Sequence, residues 1–259
     1  MARASSVADA AGSRHFHCGK SEKPWGRRAV GRKPRLRGVA RLMPLERRRD
    51  STFIAVLFGH LVGPGSRSPD AGPALSAALE RANRLFAPAL GEPFAVAGDG
   101  LVDGVLADPA QAPLCISVMR ESVAPRLLRI GVGIGSTEHL RDAPGGERDA
   151  YALAREALQL TARDHGLTRY LGTGEAGDVL LGALCRLVDP LIRTRTAKQW
   201  EAIAAYRELG HQREVAVRLG VTRQSVGDRL AAGHRRAVEE ADTAIAAYLS
   251  YGRRHRYSS

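Results

Sequence analysis

One segment near the C-terminus, residues 212–232, constrains the fold of this chain more than any other. Its sequence is QREVAVRLGVTRQSVGDRLAA, in which two short amphipathic stretches flank Gly-Val-Thr. Gly220 supplies the positive φ that ends a helix, and Thr222 is a favourable N-cap for the next one. The pattern predicts a helix-turn-helix whose first helix spans residues 212–219. The apolar residues that would face inward are Val215, Ala216, Leu219, Val226 and Leu230.

Polar side chains occupy the outer side of the same segment. Arg223 and Gln224 open the second helix, where Arg can pair bidentately with guanine and Gln with adenine. Cations and hydroxyls suited to phosphate oxygens lie around them. The candidate DNA-binding residues are Arg213, Arg218, Thr222, Arg223, Gln224, Ser225, Asp228 and Arg229. Two alternatives stay open: an ordinary helical hairpin, or a module that contacts another protein.

The net charge of +12 is unevenly distributed. Residues 1–50 carry a net charge of +10, residues 51–190 carry −4 and residues 191–259 carry +6. A mildly acidic body thus lies between two basic ends. This asymmetry indicates nucleic-acid contact at one or both ends of the chain.

Composition and charge also divide the chain into four segments. Residues 1–50 lack a helical or strand period and are predicted to be a disordered basic extension. An α+β domain is predicted over 51–175, a helical domain over 176–250 and a basic tail over 251–259. The extension is either an arm that grips DNA phosphates or an over-extended gene start, since Met43 lies ten residues before the first strand.

Cysteine usage and hydropathy favour a cytoplasmic protein. The three cysteines are far apart and imply no disulfide framework. Cys115 and Cys185 lie in apolar contexts and are expected to pack as small hydrophobic residues. Cys18, with two nearby histidines, lacks a partner set at zinc spacing, so no metal is expected there. The longest apolar run, FIAVLF, is too short to span a bilayer, and no secretory signal is recognised at the start.

The middle of the chain alternates strand and helix patterns. The order strand, helix, hairpin, helix, strand predicts a βαββαβ sandwich with its helices on one sheet face. The first strand, Phe53–Phe58, is expected to end in a Gly- and Pro-rich turn that contains His60. Three glycines at alternate positions, 131, 133 and 135, predict a closely packed strand. The remaining predicted elements are helices 73–90, 114–123 and 148–164 and strands 93–97, 101–107, 127–135 and 168–173.

Three further helices are predicted around the helix-turn-helix. The first, residues 179–193, carries an apolar stripe that includes Leu180, Leu184 and Leu187. The second, residues 197–209, has Thr196 as its N-cap. The third continues from residue 231 to 249 and could pack back or dimerise.

The series FIAVLFGHLVGPGSR, VAGDGLVDGVL, IGVGIGSTE and YALAREAL resembles the SatD family of bacterial proteins. More distantly, the same series is similar to class III nucleotide cyclases and diguanylate cyclases. The resemblance covers about residues 53–235, and residues 212–232 resemble the sigma-factor region-4 type helix-turn-helix that SatD-family proteins carry there. It implies a ferredoxin-like or nucleotide-cyclase-like α+β sandwich followed by a C-terminal helix-turn-helix domain.

The similarity to cyclases indicates which residues of the sandwich could bind a metal or another ligand. In those enzymes an Asp at the first turn and a carboxylate at the hairpin hold two divalent metals, because Mg²⁺ prefers carboxylate oxygens. Asp99 occupies the hairpin position here, but His60 replaces the first carboxylate, and imidazole is a poor Mg²⁺ ligand. No catalytic residue and no cofactor are therefore predicted, and whether a metal binds stays open. His60, Asp99 and Asp103 remain candidate ligand-binding residues. In the alternative, His60 is a turn histidine that hydrogen-bonds to the loop backbone, Asp99 is an ordinary hairpin residue and Asp103 is an exposed strand residue.

The function that the sequence favours is a DNA-binding transcriptional regulator of SatD type. Its α+β domain would serve sensing or assembly, and a homodimer is possible because one helix-turn-helix contacts only a short half-site. A second hypothesis is a metal-dependent protein that binds or processes nucleotides in a degenerate cyclase-like site. A third is an adaptor that contacts other regulatory proteins. The sequence does not decide whether the protein is an enzyme, but it favours a protein without enzymatic activity.

Overall fold

The computed structural model describes residues 53–97, 100–136 and 149–255. It contains a five-stranded mixed sheet with the strand order β2-β3-β1-β4-β5. β4 and β5 are parallel, whereas the other neighbouring pairs are antiparallel. The strands are β1 (Phe53–Val62), β2 (Leu90–Val96), β3 (Val102–Leu106), β4 (Leu127–Ser136) and β5 (Thr168–Leu171).

Eight α-helices complete the described part of the chain, and the last five follow the sheet. The first three are α1 (Ala71–Leu85), α2 (Ala112–Val123) and α3 (Ala150–Arg163). The others are α4 (Glu175–Arg193), α5 (Ala197–Leu209), α6 (Gln212–Leu219), α7 (Arg223–Ala232) and α8 (Arg235–His255). The predicted α+β class with a C-terminal helical region is confirmed.

The elements from β1 to β4 form the βαββαβ arrangement predicted from the sequence. Helices α1 and α2 pack on one face of the sheet, where Leu57, Leu106 and Ile130 are buried with Leu79 and Met119. The predicted placement of helices on one sheet face is confirmed for α1 and α2 but is wrong for α3. That helix covers the opposite face, against Ile54, Val56 and Phe58.

The close approach of α3 depends on glycines of β4. A Cβ added at Gly133 would lie 2.0 Å from the carbonyl oxygen of Ala150, and one at Gly131 would lie 2.2 Å from the amide nitrogen of Leu158. Because real Cβ atoms do not approach so closely, larger residues here would displace α3. The predicted close packing of this strand is confirmed.

The first strand is longer than its sequence pattern indicates. β1 pairs with β4 in an unbroken antiparallel register from Phe53 opposite Ser136 to Val62 opposite Leu127. The ladder therefore extends the strand through His60, and the chain turns only at Gly63, where φ is +79°. The prediction that His60 lies in a turn is wrong.

The β2–β3 hairpin is confirmed. Val96 pairs with Val102, and the amide of Ala97 donates to the carbonyl oxygen of Leu101 at 2.7 Å. The tip residues at 98 and 99, which include the candidate Asp99, lie outside the described residues.

Both edges of the sheet carry features that occupy or interrupt their backbone. On the β5 side, Asp189 of α4 accepts from the amides of Leu167 and Thr168. Asp178, on the same helix, accepts from the amides at positions 172 and 173. On the opposite side, β2 contains Pro93 and two register irregularities in its pairing with β3.

The C-terminal helices share the core of the sandwich. Leu181 and Cys185 of α4 and Ile245 and Leu249 of α8 are buried in the same cluster as the α1 and α2 residues. The predicted burial of both cysteines, Cys115 and Cys185, is confirmed, and burial raises the pKa of each thiol to about 12. The boundary at residue 175 stays a prediction.

The last helix begins later than predicted. The chain interrupts the helical run at positions 233 and 234, where His234 has a φ of +51°, so residues 231–249 are not continuously helical. Within the described ranges, none of the helices combines the length and apolarity that a membrane span requires. The predicted extension over residues 1–50 and residues 256–259 of the predicted tail (251–259) lie outside these ranges, whereas residues 251–255 belong to α8.

Candidate nucleic-acid interface

Helices α5, α6 and α7 form a small core of their own. Each contributes buried apolar side chains: Ala202, Ile203, Ala205, Val215, Ala216, Val226 and Leu230. Helix α5 begins with a capping box in which Thr196 accepts from the amide of Gln199 and the Gln199 side chain accepts from the amide of Thr196. The predicted N-cap is confirmed. The inward positions predicted in α6 and α7 are also confirmed, with Leu219 half-buried against the same cluster.

The turn between α6 and α7 is tight and fixed by local hydrogen bonds. Gly220 has φ +63° and ψ +35°, the left-handed conformation that glycine adopts without a Cβ penalty. The next amide, that of Val221, donates back to the carbonyl oxygen of Ala216 at 3.0 Å. Thr222 then caps α7, because its Oγ1 accepts from the amide of Ser225 at 3.1 Å. The predicted bounds of α6 and the predicted cap of α7 are confirmed.

The structure places the candidate residues on the outer side of this three-helix unit. Arg223 and Gln224 are the first two residues of α7, and both side chains are exposed. Arg213, Arg218, Thr222 and Asp228 are exposed as well, whereas Ser225 and Arg229 are half-buried. Arg223 and Gln224 therefore stand at the amino end of α7, where the helix dipole is positive.

Two of the candidate arginines already have acidic partners. Arg218 pairs with Glu208 of α5, and Arg229 lies 3.8 Å from Glu201 of the same helix. Glu208 also accepts from Arg81 of α1 at 3.1 Å. A phosphate at Arg218 would therefore compete with a carboxylate, which the sequence pattern did not indicate. Among the described residues, no ion pair is found for Arg213 or Arg223.

A buried ion pair joins this unit to the sandwich. Arg207 of α5 donates through Nε to both carboxylate oxygens of Glu121 of α2, at 2.7 and 2.9 Å. The Glu121 side chain is only 2% exposed. Its neighbour in α2, Arg120, donates to the carbonyl oxygens of Leu128 and Leu167. Sequence reasoning missed these residues, although adjacent Arg and Glu in an apolar helix were a visible signal.

Two of the candidate ligands in the sandwich, His60 and Asp103, lie on the sheet rather than in a loop. His60 of β1 is opposite Arg129 of β4, and Asp103 of β3 is opposite Phe58. Because alternate strand residues share a face, His60 and Asp103 both belong to the face that α3 covers. Burial, followed by the negative charge of Glu92, raises the pKa of Asp103. The described residues include no group of three or more His, Cys, Asp or Glu side chains that could hold a metal.

A cleft of about 800 Å³ opens beside His60. Its walls come from the end of β1, the turn at 63–68, the start of α1 and the hairpin residues Val96 and Gly100.

Comparisons with known proteins add little to this geometry. No family model matches the chain, and none of the curated proteins matches it. A crystal structure of a regulator of polyketide synthase expression from Bifidobacterium adolescentis is similar at 15% sequence identity and covers 79% of this chain and 86% of its own. Its TM-score of 0.20 is too low to support an argument about fold or function.

Proposed function

We propose that this chain is a DNA-binding regulator of transcription of SatD type, with α6 and α7 as its helix-turn-helix. The observation that carries the proposal is the joint exposure of Arg223 and Gln224 at the amino end of α7. In helix-turn-helix proteins, the first residues of the second helix contact base edges in the major groove. Arg and Gln are suited to guanine and adenine there.

The electrostatics around α7 support contact with phosphates. The amino end of the helix presents unpaired amides and a positive dipole to an anion. Arg213 and Arg223 form no ion pair among the described residues, and they lie on either side of the Gly220 turn in sequence. Thr222 accepts a hydrogen bond from Ser225, so its own hydroxyl hydrogen remains available to donate to a phosphate oxygen.

The sandwich would serve sensing or assembly. Its α2 holds α5 through the buried Glu121–Arg207 pair, and α5 supplies one wall of the helix-turn-helix core. A change in the position of α2 would therefore be transmitted to α7 through α5.

Binding to duplex DNA across a range of salt concentrations tests the proposal. A preferred duplex is first selected by the full-length wild-type protein from a random library, and its affinity is compared with that for unselected duplex. We expect the logarithm of the affinity to fall linearly with the logarithm of the salt concentration. The variant carrying Arg223→Ala and Gln224→Ala is expected to lose at least about tenfold of the preference for the selected duplex.

The matched control is Arg84→Ala, which removes an exposed arginine from α1 that pairs with Glu80 of the same helix. This control is expected to bind the selected duplex like the wild type. Affinity that does not depend on salt, or a double variant with unchanged preference, would contradict the proposal. A partner protein captured equally well after nuclease treatment would favour the adaptor hypothesis instead.

The cleft beside His60 favours a second candidate, in which the sandwich binds a nucleotide at a degenerate cyclase-like site. Its volume of about 800 Å³ is in the range of small-molecule sites, and it adjoins the amino end of α1. Calorimetric titration with ATP and GTP, each with Mg²⁺ or Mn²⁺, tests it. The absence of heat with all four mixtures would reject this candidate and leave the first unaffected.

A further inference from the structure

Helix α4 carries a second apolar face that the described fold does not cover. Its inner face is buried against the sandwich and consists of Gly177, Leu181, Gly182, Cys185, Asp189 and Ile192. On the other side, Val179 is 64% exposed, Leu180 55% and Leu187 73%. These are three of the eight large hydrophobic side chains found exposed among the described residues. Exposed apolar side chains grouped in this way mark interaction surfaces.

The exposed face has the spacing of a helix–helix seam. Ala176, Leu180, Ala183 and Leu187 follow one another at steps of four, three and four residues, which is the a and d pattern of a heptad. Ala176, Leu180 and Leu187 are exposed, and Ala183 is half-buried. The seam therefore alternates small and large side chains on the surface of α4.

We propose that this face, which we call the α4 seam (Ala176, Leu180, Ala183 and Leu187), binds the same face of a second copy in antiparallel orientation. In an antiparallel pair, a positions meet d positions, so Ala176 would lie opposite Leu187 and Leu180 opposite Ala183 of the second copy. Every layer then combines one small and one large side chain. A parallel pair would instead place Ala against Ala and Leu against Leu, which packs unevenly.

Charge complementarity supports the same arrangement. Glu175 and Arg186, both exposed, lie on one edge of the seam, about 90° to 110° around the helix from its centre. With Ala176 opposite Leu187, Glu175 of each copy falls beside Arg186 of the other, giving two symmetric ion pairs. The antiparallel arrangement also places the helix dipoles in opposite directions.

The undescribed parts of the chain are poorer candidates for covering this face. Residues 1–52 carry a net charge of +10, whereas the exposed charged residues of α4 already include two arginines, Arg186 and Arg193, against Glu175. Residues 137–148 contain only one large apolar residue, Leu140. A second copy supplies both the apolar seam and the opposite charges at matching positions.

Dimerisation through α4 does not depend on the proposed DNA binding. If both hold, the twofold axis of the α4 pair would relate two helix-turn-helix units, as the symmetric half-sites of an operator require.

Sedimentation equilibrium of the full-length protein tests the inference. Between about 1 and about 100 µM we expect a concentration-dependent monomer–dimer equilibrium. Leu187→Glu places a charge in the seam and is expected to weaken the dimer at least about tenfold. The matched control is Val217→Glu on α6, where the wild-type side chain is 80% exposed, and this variant is expected to dimerise like the wild type. Circular dichroism checks that both variants are folded.

A charge exchange tests the orientation. Glu175→Arg and Arg186→Glu are each expected to weaken the dimer at low salt, and the double variant is expected to restore it. A wild type that stays monomeric over this range, or a Leu187→Glu variant that dimerises normally, overturns the inference. So does a dimer that forms only after residues 1–48 are removed, because the basic extension would then be the segment that covers α4.

Discussion

Asp242 of α8 is expected to make the free energy of unfolding of this protein decrease as the pH rises. Its carboxylate accepts a hydrogen bond from Ser117 Oγ of α2 at 2.6 Å. Burial raises the pKa of this carboxyl from 3.8 to about 6. The neighbours that oppose the increase, by favouring the charged form, are Ser117, Arg120, Arg207 and Arg195.

The sign of the effect follows from linkage. Because the pKa in the folded state exceeds that of the unfolded chain, the folded state binds the proton more tightly between these two values. The stabilisation is complete below pH 3.8 and is lost as the pH rises through about 6. This pKa difference corresponds to about 3 kcal/mol in the free energy of unfolding, of which about 2 kcal/mol is lost between about pH 4.5 and about pH 7.5.

Asp242→Asn is expected to remove this dependence. The amide oxygen of Asn can still accept the hydrogen bond from Ser117, and the side chain has no charge to desolvate. Urea unfolding of both proteins at about pH 4.5 and about pH 7.5 gives the free energies. The free energy of unfolding of the wild type minus that of the variant is expected to be about 2 kcal/mol larger at the lower pH.

Ser117→Ala serves as the companion variant. It removes the hydroxyl that stabilises the charged carboxylate, so the free energy of unfolding of this variant should depend more steeply on pH than that of the wild type. If the difference between wild type and Asp242→Asn is the same at both pH values, Asp242 is not desolvated as described. A shallower dependence in Ser117→Ala would show that the hydroxyl does not favour the charged form.

Three further sets of substitutions test the packing, each by urea unfolding. Gly133→Ala would push a Cβ into the backbone of α3 and is expected to lower the free energy of unfolding by about 3 kcal/mol. Its control is Gly72→Ala, whose Cβ meets nothing within 4 Å and which is expected to stabilise the fold slightly. Equal effects of the two substitutions would contradict the described contact. Gly220→Ala forces an alanine into the left-handed region and is expected to cost about 1 kcal/mol, and no cost would show that the turn can relax. Glu121→Ala leaves Arg207 half-buried without its carboxylate and is expected to cost about 3 kcal/mol, and a cost below about 1 kcal/mol would mean that water replaces the pair.

The local signals around the α6–α7 turn were sufficient to predict its geometry. Gly220 and Thr222 act within a few residues of themselves, one through the left-handed φ and the other through a cap to Ser225. The same holds for the hairpin that brings Val96 opposite Val102. Such features depend on sterics and hydrogen bonds between residues close in sequence, so the residue types around the turn are enough to predict them.

Features that depend on distant partners were not predictable in the same way. The extension of β1 through His60 results from its long pairing with β4, and Gly and Pro residues after it suggested an earlier turn. The partners of Arg218 and Glu121 lie on other helices. The charges next to each other in α2 indicate that a partner is needed, but the local pattern does not identify which residue it is. Asp99, on which the cyclase comparison depends, falls at the undescribed hairpin tip.

The two edges of the sheet have a consequence for how this protein can assemble. Strand edges with unpaired backbone groups invite open-ended growth, in which each added chain offers a fresh edge to the next. Here the carboxylates of Asp178 and Asp189 accept from four amides at the two ends of β5, and Pro93 with its neighbouring irregularities interrupts β2 at the other edge. Growth by strand addition is thus discouraged at both ends. The proposed pairing through the α4 seam uses neither edge, and a twofold pairing of this kind closes at two copies.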